Sequence, residues 1–158
     1  MSRPPFVAEA LRPSIAKGCV VDASVVIKWF ADDPLSRAAL ALRNVPLHAP
    51  DVLAADCAEI LWRKELLNEM SEAEVDEAAE LLQQAQIGLH PTRALTDQIL
   101  GFARSLKHPT RDCAYLATAW LLEIPLITAD ERLAAFVRAG SAEQTNLPQV
   151  LPLRIFQA

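Results

Sequence analysis

The chain has 158 residues, and at 17.3 kDa it is long enough to bury one sizeable core as a single domain. Hydrophobic residues make up 52% and charged residues 22%, which excludes a disordered tail or a fibre, and no uncharged apolar run approaches the ~20 residues of a bilayer span. A formal net charge of −5 and a pI of ≈ 5.2 exclude a protein that coats nucleic acid through a broad basic surface, but not a small metal-charged site that touches nucleic acid locally.

Residues 1–17 have weak periodicity, lack the apolar stretch of a secretory signal and read as an arm or extension in which Pro4, Pro5 and Pro13 break any long helix. Residues 18–158 read as one domain. It opens with a β-branched run over 19–24, expected to be a strand buried on both faces, with Ser24 placed to cap a short helix. Asp33-Pro34 starts a second helix reaching Arg43, and residues 45–50 form an extended segment ending at Pro50. A long helix is predicted over 52–70, its apolar stripe including Leu53, Cys57, Ile60, Leu61 and Leu67. Ser71 with Glu74 makes a capping box for the next helix, which stops near Gly88.

Thr96 is placed to cap a helix running to about Lys107, and Thr110 to cap another that ends at Ile124-Pro125. Residues 125–130 are a second convincing strand, and Asp130 caps a helix closing at Gly140. Residues 151–156 read as a last strand whose prolines suggest an edge position. Strands alternating with more numerous helices predict an α/β sandwich around a small, mostly parallel sheet, with ligands at the carboxyl ends of its strands. Cys19, Cys57 and Cys113 show no metal-binding or disulfide spacing and stand apart from His48, His90 and His108, so they read as small buried thiols of a cytoplasmic protein.

The chemistry lies in the acids. Asp22 and Asp130 each end a strand-like run, which puts both on one edge of the sheet if the strands are parallel neighbours. Asp56 and Asp112 sit early in helices among alanine, cysteine and leucine, with Glu59 three residues after Asp56 on the same helical face. Taken singly, Asp22 and Asp130 read as caps, Asp112 as a helix-dipole partner, and Asp56 and Glu59 as solvated acids. Taken together they suggest a convergent carboxylate site, in which mutual repulsion and burial call for a cation. Mg²⁺ or Mn²⁺ suits an all-oxygen pocket and can polarise a phosphodiester and acidify an attacking water. That chemistry needs no covalent nucleophile from Ser24, Thr128 or a cysteine.

Four segments carry a family likeness in their order and spacing: VVDASVVIKWF from Val20, APDVLAADCAEILWRK from Ala49, HPTRDCAYLATA from His108 and PLITADERL from Pro125. Together they resemble the PIN domain, and within it the VapC toxins of bacterial toxin–antitoxin pairs, over roughly Cys19 to Gly140. The resemblance implies a PIN-like three-layer sandwich and a metal-dependent endoribonuclease whose metal-site acids include Asp22, Asp112 and Asp130. The family usually has glutamate, two residues, then asparagine where this chain has Asp56 and Glu59. By register Asp56 is the expected second acid and Glu59 a supporting or substitute group. Ser24 and Thr128 match hydroxyls beside the site.

The implied roles are catalysis and metal binding by Asp22, Asp56, Asp112 and Asp130. Lys28, Arg63, Lys64, Arg111 and Arg132 lie near the motif segments as candidate RNA phosphate contacts, although for any one of them alone a solvated helix-face charge is the better reading. Tyr115 is expected to pack. Implied partners are an RNA substrate, a VapB-type antitoxin and a second copy of the chain, with no membrane. Two other readings remain at this point: a catalytically impaired PIN-like binding module, and a receiver-like phospho-switch, which also gathers acids at strand ends.

Overall fold

A computed structural model describes residues 14–141, 143–144 and 146–157, so most of the predicted arm lies outside the described residues. Five strands form one sheet: β1 (Cys19–Val21), β2 (Leu47–Pro50), β3 (Gly88–His90), β4 (Leu126–Thr128) and β5 (Val150–Pro152), in the order β3-β2-β1-β4-β5. Every neighbouring pair is parallel. Seven α-helices are described: α1 (Ala23–Val26), α2 (Ser36–Ala41), α3 (Leu53–Leu66), α4 (Glu72–Gln84), α5 (Thr96–Leu106), α6 (Thr110–Leu122) and α7 (Glu131–Gly140). The result is the α/β sandwich expected from the alternation of patterns. No described helix is long and apolar enough to cross a membrane.

The central strands lie wholly within the core. All three residues of β1 and all three of β4 are buried, as parallel strands covered on both faces require. Parallel strands need right-handed crossovers, so the connections running from β1 to β2 to β3 cover one face and those returning through β4 to β5 cover the other. In receiver-type sheets the first strand sits between the second and third. Here β1 sits between β2 and β4, which removes the receiver-like alternative on topology.

Several boundaries differ from the sequence reading. Gly88, expected only to stop a helix, begins the edge strand β3 after α4 has ended at Gln84. Leu67 lies beyond the end of α3 and is exposed. The cap of α1 is Asp22, whose side chain accepts from the Val25 amide; Ser24 lies inside the helix. Neither Thr96 nor Thr110 caps its helix through the side chain; each is the first helical residue. The Ser71–Glu74 capping box and the Asp130 cap form as expected, and β5 takes the edge place that its prolines suggested. Ile15, within the predicted arm, is buried in the core.

Candidate active site

The chain leaves β1 toward β2 and β3 and returns to β4 on the other side of β1, so the winding reverses between β1 and β4. Strand carboxyl ends leave a crevice at such a reversal. Val21 pairs with Ile127, and the next residues along the two strands are Asp22 and Thr128. A cleft of about 370 Å³ opens there, lined by Asp22, Asp56, Glu59, Asp112 and Asp130, together with Ser24, Arg63, Arg111 and Tyr115. The five acids singled out in the sequence are thus brought from four separate segments to one cleft.

Asp22 is almost fully buried. Ser24 Oγ donates to its Oδ1 and Thr128 Oγ1 to its Oδ2, each at 2.5 Å. The same hydroxyl oxygens accept from the Ala129 and Asp130 amides at 3.0 Å. A hydroxyl has one proton, so these amides fix both protons toward Asp22. Burial pushes the Asp22 carboxyl up to about 6 against the pull of these bonds, and the charge of Asp112 adds to the rise.

Asp56 is buried too, not the solvated acid of the alternative reading. Tyr115, itself 3% exposed, donates its hydroxyl to Asp56 Oδ2 at 2.7 Å, so it packs as expected and also orients the acid. Burial first, and this bond second, raise the Tyr115 phenol above its ordinary value, so it stays protonated as a donor. Arg111 Nε stands 3.1 Å from Asp56 Oδ1 as an ion pair, yet that buried oxygen accepts no hydrogen bond. Glu59 is half-exposed and clamps two arginines, Arg63 Nη2 at 2.6 Å and Arg111 Nη1 at 2.8 Å. The Arg111 hydrogen bond, then the Arg63 charge, hold its carboxyl below the usual range.

Asp112 and Asp130 also have protein partners. Asp112 Oδ2 lies 2.6 Å from His108 Nε2, and His108 rests against the Phe136 ring. Asp130 Oδ1 accepts from the Arg132 and Leu133 amides as the cap of α7. Among the described residues, no three His, Cys, Asp or Glu side chains are therefore gathered tightly enough to hold one ion together. The donor set nevertheless fits a hard divalent cation. It is all carboxylate and hydroxyl oxygen, it includes a buried Asp56 oxygen that accepts no hydrogen bond, and Mg²⁺ needs only one or two carboxylates because it keeps several waters.

Of the candidate phosphate contacts, Arg63 and Arg111 line the cleft. Lys28 does not; its ammonium pairs with Asp33 at 2.9 Å. Lys64 pairs with Glu69, and Arg132 is also outside the lining. Cys19, Cys57 and Cys113 are free and buried, and burial pushes their thiols up, to about 12 for Cys57 and about 11 for Cys113, so none is poised as a nucleophile. Sequence reasoning missed Tyr115 and His108 as partners of the acids. The four-residue spacing of His108 and Asp112 is a signal for one; the 59 residues separating Asp56 from Tyr115 carry none.

The PIN domain family model matches residues 19–139. Ribonuclease VapC1 of Mycobacterium tuberculosis, in strains CDC 1551 / Oshkosh and ATCC 25618 / H37Rv, is 31% identical over 121 residues, covering 74% of this chain and 89% of the relative.

Proposed function

The chain belongs to the PIN-domain family, and on that footing we propose that it is a divalent-metal-dependent endoribonuclease of the VapC toxin type. The observation that carries the reading is the meeting of five acids in one cleft at the strand reversal, with a buried carboxylate oxygen of Asp56 left without a hydrogen bond. Asp22, Asp56 and Asp112 are the residues that would hold Mg²⁺, or Mn²⁺, directly or through its waters, with Asp130 completing the pocket. When bound, the ion supplies positive charge that polarises the phosphodiester and acidifies the attacking water.

The chain's own groups prepare the site. Ser24 and Thr128 fix both oxygens of Asp22, and Tyr115 fixes one oxygen of Asp56. His108 steadies Asp112 from outside the acid cluster. Glu59 serves as the arginine clamp rather than as the second acid, since both its oxygens are paired with guanidinium groups whereas buried Asp56 keeps an oxygen that accepts no hydrogen bond. It keeps Arg63 and Arg111 at the rim, where guanidinium groups meet RNA phosphates.

The family reading extends to partners. A VapB-type antitoxin would neutralise the protein, and a second copy would complete a homodimer. Exposed Trp62 and Leu66 on α3, with Leu67 just beyond it, offer apolar surface for such contacts.

End-labelled RNA incubated with the native chain tests the reading. Cleavage is expected with Mg²⁺ or Mn²⁺ and not in EDTA, and the Asp22→Asn/Asp112→Asn double variant should lose about 10²-fold or more. Cleavage that persists in EDTA or in the double variant removes the metal-nuclease assignment. A native chain that binds RNA but leaves it intact with either ion is the impaired binding module instead.

A further inference from the structure

We propose that Arg111 is a built-in counter-cation of the acid cleft, neutralising Asp56 while no ion is present and leaving that carboxylate when a divalent ion enters. The proposal rests on the reading of the cleft as a metal site. Arg111 bridges two acids of α3, with Nε 3.1 Å from Asp56 Oδ1 and Nη1 2.8 Å from Glu59 Oε2. Its side chain is 57% exposed while that of Asp56 is 7% exposed, so the guanidinium reaches a buried charge from solvent and is free to withdraw.

The contact to Asp56 supplies charge but no hydrogen bond. An uncompensated buried carboxylate is costly, so a cation beside Asp56 stabilises its ionised form in the ion-free protein. A guanidinium and a divalent ion cannot share one carboxylate oxygen without strong repulsion. The ion must therefore displace Arg111, which lowers its apparent affinity by the fraction of molecules in which Arg111 has already swung away.

Glu59 shapes this competition. Its Oε1 is held by Arg63, leaving Oε2 to anchor Arg111. Asparagine, which the family resemblance expects there, would offer no charge for that anchor. Glu59 and Arg111 thus act together: the acid holds the guanidinium over the cleft, and keeps it at the rim after it leaves Asp56.

Mn²⁺ affinity of the full-length chain, read by the electron paramagnetic resonance signal of free Mn²⁺, tests the idea by comparing Arg111→Gln with Arg63→Gln. Both remove one positive charge from the cleft rim, but only Arg111 touches Asp56. Arg111→Gln should tighten Mn²⁺ binding about tenfold, and Arg63→Gln by less than about threefold. In the ion-free state Arg111→Gln should melt below the native chain and recover more on adding Mn²⁺. Equal tightening in the two variants, or none in Arg111→Gln, overturns the proposal while leaving the metal site standing. Failure of every form, native included, to bind Mn²⁺ overturns the proposal together with the cleft reading on which it rests.

Discussion

Burial penalises the charged form of Asp22, and two hydroxyls and one amide recover only part of that penalty, so its carboxyl sits near 6 instead of 3.8. In the metal-free protein this makes the acid a source of instability with a definite pH window. Below 3.8 the group is protonated in both folded and unfolded chains and contributes nothing. Between 3.8 and about 6 the unfolded chain ionises first, so stability falls as pH rises. At ~1.4 kcal/mol per tenfold change in proton affinity, the full loss above that window is on the order of 3 kcal/mol. The native chain should therefore lose thermal stability as pH rises from 4 to 7, and Asp22→Asn, which cannot ionise there, should lose less over the same span, even as cleavage is lost. Thermal melts across pH 4–8 without metal check this; a constant offset would show that burial does not govern Asp22. The acids were readable in sequence because each interrupts an apolar run. Their partners were not, since Tyr115 and Arg111 reach Asp56 and Glu59 across more than fifty positions.

Gly18 shows how a single backbone conformation sets the entry to β1. Its φ of +117° lies in a region that L side chains rarely adopt, and a Cβ there would come within 2.8 Å of the Pro46 carbonyl oxygen. The approach is close because the Cys19 amide donates to that same oxygen, starting the β1–β2 ladder. Gly18→Ala should cost about 1–3 kcal/mol in urea unfolding. Because Gly18 precedes the amino end of β1 while the cleft lies past the carboxyl end, cleavage per folded molecule should be unchanged. A variant as stable as the native chain would mean that the β1–β2 entry relaxes freely. The elements themselves were visible wherever burial wrote a pattern, as in β1, β4 and α3. β3 escaped because it is an exposed edge strand, held by backbone pairing to β2 rather than by an apolar signature. Capping divided in the same way: the Ser71–Glu74 box was written in local spacing, whereas Asp22 displaced Ser24 as a cap because Ser24 is turned to the β4–α7 loop.

The sheet order, the acids and the net charge combine into one property of the whole molecule. Five acids and two arginines line the cleft, so a formal −3 of the chain's −5 lies at the reversal between β1 and β4. Concentrated like charge opposes the compact state, and a ligand that binds only the folded arrangement stabilises it by mass action. The acids come from the ends of β1 and β4 and from α3 and α6, so no fragment of the chain retains the set, and ion binding must report on global folding. At a free Mn²⁺ concentration about a hundredfold above its Kd, the gain should be about 2.7 kcal/mol, a rise in Tm on the order of 5–10 °C for a domain of this size. Asp22→Asn/Asp56→Asn should remove that rise while metal-free melts still show a folded protein. A rise of equal size in the double variant would mean that the ion binds elsewhere on the surface, and the concentration of charge at the cleft would then be a by-product of helix capping and core packing rather than the basis of a metal site.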